Sequence, residues 1–262
     1  MNRTLTYKII ILLWLEIREF LITLGNIGRD FISVFRLILS LKIKVKEVLE
    51  QAKRFAYDSL PISLAIVGMT SAIIAMQLAP ELAKQGAGDY TGMLSSLVMV
   101  RELAAVMSGF AIISMVGSSF ASEIASMSVT EQIHAMQVLH INPVEYLIVP
   151  RFIAGFLFMP VVFIVSALFG LVCAGFVSNI TADLSILNYI TSLWHGLYIR
   201  DIFIAILKSA FFGGTIALIS CSCGYSAKGG AKEVGLATTK AVVWSFLAIA
   251  MWDFIFASIF YL

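Results

Sequence analysis

Charged side chains are scarce in this chain of 262 residues. Asp, Glu, Lys and Arg together make up 13% of it, against about 25% in an average soluble domain. Hydrophobic residues make up 60%, which is more apolar surface than one globular core can hide behind so few charges. The net charge of +2 does not indicate an acidic partner such as nucleic acid. The composition therefore excludes an ordinary soluble enzyme, a disordered chain and a nucleic-acid binder, and it indicates a polytopic membrane protein.

Histidine and cysteine are also rare, with three residues of each. Neither His134 nor His140 belongs to the HExxH pattern of zinc proteases. Cys221 and Cys223 have no other Cys or His close in the sequence, which favours reduced thiols over a metal site. The GxxxxGK[ST] phosphate-binding pattern is absent from the sequence as well. We therefore expect this chain to hold no catalytic residue, metal or cofactor, and no ATP site of its own.

Long uncharged stretches predict an all-α fold with five transmembrane helices. A membrane-spanning helix needs about 20 mostly apolar residues. Residues 1–60 are predicted to be a cytoplasmic or interfacial segment, and residues 61–262 a single five-helix transmembrane domain. The predicted spans are Pro61–Pro80, Met93–Ser122, Phe152–Ala182, Ile202–Tyr225 and Ala241–Leu262.

The N-terminal segment differs from these spans because its apolar stretches are short and flanked by charges. Phe31–Leu41 contains one Arg and is followed by Lys42, Lys44 and Lys46. An amphipathic segment with basic flanks is typical of a helix that lies in the membrane interface. A sixth, short span near residues 20–41 is the alternative.

The distribution of Lys and Arg predicts the orientation, because cytoplasmic loops carry an excess of both. Residues 1–60 and the loops near 121–151 and 226–240 together hold fourteen, while the opposite side holds only Lys84 and Arg200. We therefore expect a cytoplasmic N-terminus and a C-terminus on the outer side.

The cytoplasmic loop after span two is too apolar and too regular for a linker. Ile124, Met127, Ile133, Met136 and Leu139 recur at helical spacing. The sequence predicts a short cytoplasmic helix over residues 123–140, ended by Asn142-Pro143. Such a helix can be held by a soluble partner or can rest on lipid headgroups, and the spacing does not choose between the two.

Four charged residues lie inside the predicted spans at similar depth. A lone charge at mid-bilayer costs at least about 2.5–3.5 kcal/mol, so such residues pair or face a cavity. We expect Arg101, Glu102, Lys208 and Asp253 to form one buried network that joins spans two, four and five, with Glu102–Lys208 and Arg101–Asp253 as the pairs. The network acts either as a structural clamp or as a switch.

Several short motifs are distributed along the chain. Arg101-Glu102-Leu103 stands with Val106 in span two, and Pro150-Arg151 stands at the start of span three. The other motifs are Gly25-Asn26-Ile27-Gly28-Arg29, Gly117-Ser118, Ala121-Ser122-Glu123-Ile124, Met127, Glu131-Gln132-Ile133, Gly224-Tyr225, Lys228-Gly229-Gly230-Ala231, Val234-Gly235, Ala237-Thr238-Thr239 and Ala241-Val242-Val243. Together they resemble the permease subunit of MCE-associated ABC lipid transporters, the MlaE/YrbE family, whose RELxxV motif and third span begin in the same way. This chain has Ser114-Met115 where the family has Gly-Arg.

The resemblance implies a homodimeric permease in a bacterial inner membrane, with a separate cytoplasmic ABC ATPase that uses ATP. It also implies an MCE-domain protein on the outer side, often a STAS-domain protein on the ATPase, and a phospholipid or related lipid as cargo. ATPase coupling would then fall to the loop after span two, through Glu123, Met127, Glu131, Gln132, His134 and Met136.

At a dimer axis, the outer halves of spans one and two would line an apolar groove for lipid. Ordinary packing between helices is the alternative for these residues. Two other functions also remain open: a transporter driven by an ion gradient through the four intramembrane charges, and a structural anchor for an envelope complex. The groove residues are Ile74, Leu78, Leu82, Leu103 and Val106.

Overall fold

The computed structural model describes residues 2–39 and 45–261, and the regular secondary structure in these two ranges is entirely helical. Short π-helical turns interrupt the helices at Arg54–Asp58, Met99–Leu103, Ile113–Gly117 and Val144–Ile148. The α-helices are α1 (Asn2–Leu39), α2 (Val45–Lys53), α3 (Leu60–Lys84), α4 (Thr91–Val98), α5 (Ala104–Ile112), α6 (Ser118–Val129), α7 (Gln132–Val138), α8 (Val149–Ala182), α9 (Ile186–Gly196), α10 (Ile199–Tyr225) and α11 (Ala231–Phe260).

Within the described ranges, five helical segments are long and apolar enough to cross a membrane, by length and composition. They confirm the five predicted spans and extend most of them, because polar helical turns continue the apolar stretches. Spans one to five are Val45–Lys84, Gly88–Val129, Val144–Ala182, Ile199–Tyr225 and Ala231–Phe260.

The N-terminal segment is a single long helix, α1, and it is not among those five segments. Charged residues from Glu16 to Arg36 divide its apolar stretches. Val34 is buried while Phe31 and Phe35 are exposed, so α1 packs against the bundle along one side. Its neighbours are α10 and the π-helical turn before α8. Residues 40–44, where the predicted stretch Phe31–Leu41 ends, lie outside the described residues.

Helices α8 and α10 cross at the centre of the bundle, where two glycines set their separation. A Cβ atom on Gly155 or on Gly213 would overlap the carbonyl oxygen of the other. Small residues permit such close approach of membrane helices, which are held together largely by packing. Helix α8 also packs along α3, and α10 along α11. Span four is consequently the most buried, with 67% of its apolar window inside the bundle, and span five the least, with 17%.

The single helix predicted over residues 123–140 is wrong. Its first part belongs to α6, which continues span two as far as Val129, and α7 covers only Gln132–Val138. The break lies at Thr130, whose hydroxyl donates to the carbonyl of Ser126 at 2.8 Å, and at Glu131, which has a left-handed φ of 60°.

The predicted helix end at Asn142-Pro143 is wrong as well. Helix α7 ends at Val138, and His140 follows it with a left-handed φ of 60°. Asn142 instead caps the next helical segment, because its side-chain oxygen accepts from the backbone N–H of Val144 at 3.1 Å.

We expect Gly213→Ala to destabilise the bundle, because the added methyl group meets backbone rather than a side chain that can move. The cost of overpacking is about 1–3 kcal/mol, which lowers the midpoint of thermal unfolding in nanodiscs. Gly235→Ala is the matched control, since nothing lies within 4 Å of a Cβ atom there. Equal midpoints for both variants would contradict a close α8–α10 contact.

Candidate functional site

Lys208, in the first half of α10, is a fully buried cation at the centre of a polar cluster. Its ammonium group donates to Glu102 Oε2 at 2.7 Å and to the backbone carbonyl of Arg101 at 3.0 Å. It also forms an ion pair with Asp253 of α11. An ammonium group has three donors, and it meets three acceptors here, two from span two and one from α11.

The π-helical turn Met99–Leu103 helps to build this cluster. Such turns inside α-helices occur frequently at functional sites. Here the turn contains Arg101 and Glu102, and it presents both a carboxylate and a backbone carbonyl to Lys208. One segment of span two therefore supplies two of the three acceptors.

Arg101 has a different partner from the one predicted. Its Nε and Nη2 atoms lie 2.8 and 2.7 Å from Oδ2 of Asp201, and its guanidinium carbon lies 4.8 Å from the centre of the Tyr261 ring. Asp253 pairs with Lys208 instead, so the predicted Arg101–Asp253 pair is wrong.

The physical reason for this difference is the direction in which the Arg101 side chain points. Arg101 and Glu102 are sequence neighbours and point different ways, and the long Arg101 side chain reaches the first turn of α10. The predicted network does not include Asp201, because this residue stands at the end of span four. Its side chain is nevertheless only 7% exposed. An acidic residue in a first turn, beside the positive end of the helix dipole, was the available signal.

The structure thus joins spans two, four and five through two cations and three carboxylates. Lys208 is held by Glu102 and Asp253, and Arg101 is held by Asp201. A role of this cluster as a clamp or as a switch in transport stays a prediction.

The five apolar residues predicted to line a lipid groove are all half-buried in this chain. Helix α3, which carries three of them, packs against α5, which carries Val106. Ile74, Leu103 and Val106 also contact the main core. Lipid contact at these positions, which include Leu78 and Leu82, stays a prediction.

The predicted coupling residues divide into an exposed group and a packed group. Glu131, Gln132 and His134 are exposed around the start of α7, and the apolar residues Val138, Leu139 and Ile141 are exposed at its end and just after it. We call residues 131–141 the α7 surface. Met127 and Met136 are half-buried and pack against the main core, so they support this surface from beneath.

Side-chain contacts fix the α7 surface to the end of span four. Gln137 donates to the Tyr225 hydroxyl at 3.0 Å. Ser128, just before the break between α6 and α7, donates to the carbonyl of Ala227 at 2.8 Å. Tyr225 ends α10, so the α7 surface is attached to the same helix that carries Lys208.

Glu123 lies in a separate cluster of internal ion pairs. Its carboxylate is 2.5 Å from Nη1 of Arg54 and 3.1 Å from Nη2 of Arg151. Both guanidinium groups lie over the buried ring of Phe120, at 5.9 and 5.2 Å from its centre. Among the six predicted coupling residues, Glu123 therefore joins the ends of spans one, two and three, while its side chain remains 37% exposed.

Comparison with known proteins identifies relatives over nearly the whole bundle. A family model described as Permease MlaE matches residues 48–259, which contain both the Lys208 cluster and the α7 surface. A "Probable ABC transporter permease protein" of Synechocystis is 37% identical over 222 residues, which covers 85% of this chain and 84% of the relative. A protein of the same description from Pyropia yezoensis is 31% identical over 244 residues, or 93% of each chain.

A plant relative carries a lipid in its name. The chloroplastic protein TRIGALACTOSYLDIACYLGLYCEROL 1 of Arabidopsis thaliana is 34% identical over 224 residues. The alignment covers 86% of this chain and 64% of the plant protein.

We expect Lys208→Met to destabilise the protein strongly, because it leaves Glu102 and Asp253 without their buried cation. Breaking a buried ion pair on one side costs about 3–5 kcal/mol, measurable as a lowered unfolding midpoint in nanodiscs. Lys84→Met is the control, since Lys84 is exposed and 3.8 Å from Glu81; surface pairs contribute about 0–1 kcal/mol.

A triple variant separates charge from packing at the same position. Adding Glu102→Gln and Asp253→Asn to Lys208→Met removes the unpaired carboxylates and should recover part of the lost stability. A single Lys208→Met variant as stable as the unmodified protein would refute the clamp.

Proposed function

Because the chain belongs to the MlaE permease family, we propose that it is the membrane-spanning subunit of an ABC transporter that moves lipid. A separate cytoplasmic ATPase binds and hydrolyses the ATP, and this chain contributes no catalytic residue. The observation that carries the proposal is the exposed α7 surface, which lies at one end of a five-span bundle that the permease family model matches almost throughout.

The α7 surface fits a docking site for the ATPase. It combines an exposed carboxylate, Glu131, with the exposed apolar residues Val138 and Leu139, which are 64% and 70% exposed. Because Gln137 and Ser128 tie this region to the end of α10, a displacement of α7 is transmitted to the helix that carries Lys208. Nucleotide-driven motion can thus reach the polar cluster inside the membrane.

Lipid cargo is supported by the plant relative's name and by the apolar character of the proposed groove. The permease forms a homodimer, and an MCE-domain protein on the outer side receives or delivers the lipid. A STAS-domain protein binds the ATPase. The N-terminus and the α7 surface face the cytoplasm of a bacterial inner membrane, and the C-terminus faces the periplasm, as the Lys and Arg distribution favours.

We expect Glu131→Lys to weaken ATPase binding, because it replaces a carboxylate at the proposed contact with a cation. Losing one partner of a charge-assisted contact costs 2 kcal/mol or more, so ATPase co-purification should fall at least about tenfold. The control is Glu81→Lys, an exposed carboxylate at the opposite end of span one. Retained ATPase binding and lipid-stimulated ATP turnover in Glu131→Lys would contradict docking at this surface.

We expect photo-crosslinking residues at Leu78 and Leu103 to capture lipid in the assembled transporter, in amounts that change with ATP. Leu168 on α8 is the control, because it is exposed on an apolar span and samples bulk lipid. Mass spectrometry of the adducts identifies the captured lipid. If capture at Leu78 and Leu103 matches Leu168 and ignores ATP, the groove is not the lipid site.

A further inference from the structure

A polar cavity of about 660 Å³ lies between α1 and the adjoining ends of α10 and α11. Its volume is in the range of small-molecule sites, about 300–1,000 Å³. It is separate from the Lys208 cluster, since it lies at the other end of α10. The charged and amide side chains that line it are Asn26, Arg29, Asp30, Lys228, Glu233 and Lys240.

The charges in this cavity have both signs and are arranged by depth. Arg29, Lys228 and Lys240 are exposed, while Asp30 and Glu233 are half-buried. Burial raises the pKa of Asp30 above its ordinary value, and the neighbouring Ser222 and Arg29 offset part of that rise. An ammonium group brought into the cavity would favour the ionised carboxylates, and an anion at the exposed rim would meet three cations.

The position of the cavity matches the headgroup level of a bilayer. Tyr225 ends span four and Ala231 begins span five, so the cavity opens where these two spans leave the apolar region. Its other wall is α1, an amphipathic helix outside the five spans. Ile22 and Leu236 add apolar side chains to the lining, as a site needs where a headgroup joins its acyl chains.

We propose that this cavity binds the headgroup of a membrane phospholipid that carries both a phosphodiester and a primary ammonium group, such as phosphatidylethanolamine. The phosphate contacts the exposed cations, and the ammonium group contacts Asp30 and Glu233. In the orientation proposed above, this phospholipid belongs to the cytoplasmic leaflet, whereas the binding itself does not depend on transport.

The test places a photo-crosslinking residue at Leu236, in the cavity lining, and at Leu247, which is exposed farther along the same helix. The full chain is assembled in phosphatidylcholine nanodiscs with equal small amounts of phosphatidylethanolamine and phosphatidylglycerol. We expect Leu236 to capture phosphatidylethanolamine in preference to phosphatidylglycerol, and Leu247 to capture them without preference.

Charge variants connect this preference to named residues. Lys228→Glu should reduce capture of phosphatidylethanolamine at position 236 about tenfold, as expected for a lost contact to a charged group. Lys232→Glu is the matched control, because Lys232 is exposed nearby and does not line the cavity. Glu233→Gln should remove the preference over phosphatidylglycerol while leaving phosphate binding in place.

The proposal would be overturned by equal capture of the two lipids at position 236, by equal effects of Lys228→Glu and Lys232→Glu, or by no capture. Competition with soluble glycerophosphoethanolamine is the remaining arm of the experiment. This soluble compound should compete weakly, since anchoring in the bilayer gives the lipid a high effective concentration. Full competition would identify a soluble phosphoester as the ligand and refute the lipid. Crosslinking needs no ATPase. A negative crosslinking result is therefore distinguishable from a negative result for ATPase docking in the Glu131→Lys experiment.

Discussion

A buried ammonium group in an apolar environment must be neutralised and hydrogen-bonded, and Lys208 imposes that requirement on three spans at once. Unpaired, it would be among the most costly groups a membrane protein can contain. Its acceptors come from the π-helical turn of span two and from α11. The irregular turn and the convergence of spans two, four and five therefore follow from one electrostatic constraint.

At the opposite end of the bundle, a second cluster of ion pairs has the signs of the charges reversed. There one carboxylate, Glu123, is held between Arg54 and Arg151, which stack on Phe120. The two clusters share span two, since both Glu102 and Glu123 belong to it. Span two is also interrupted between these residues by the π-helical turn Ile113–Gly117. A span that is held at two points and irregular between them can change its local helical pitch without releasing either cluster.

Apolar length and intramembrane charge are strong signals, so the sequence predicts the five spans and four members of the cluster, namely Arg101, Glu102, Lys208 and Asp253. The fifth member, Asp201, is not among them because it stands at the end of span four. The pairing of these charged residues could be predicted from the sequence only in part. Depth counting placed Glu102 near Lys208, yet it could not show that Arg101 turns toward Asp201, since direction depends on the π-helical turn. The hydrophobic periodicity does not predict the break at Thr130-Glu131, because Glu131 adopts a left-handed backbone conformation that few non-glycine residues visit. The mixed-charge cavity could not be foreseen, since its lining comes from α1 and from the α10–α11 turn, about 200 residues apart in sequence.

A lipid headgroup needs a polar route, and close packing restricts where that route can lie. At the centre of the bundle, Gly155 and Gly213 bring two backbones into contact, which leaves no room between α8 and α10 for a headgroup. The acceptors around Lys208 are occupied by its own ammonium group. A route is therefore expected along the surface of the bundle rather than through one chain. Span five, with only 17% of its apolar window buried, offers the largest uncovered helix face among the described spans. The proposed dimer would enclose such a route between two copies, so that neither chain needs to contain it alone.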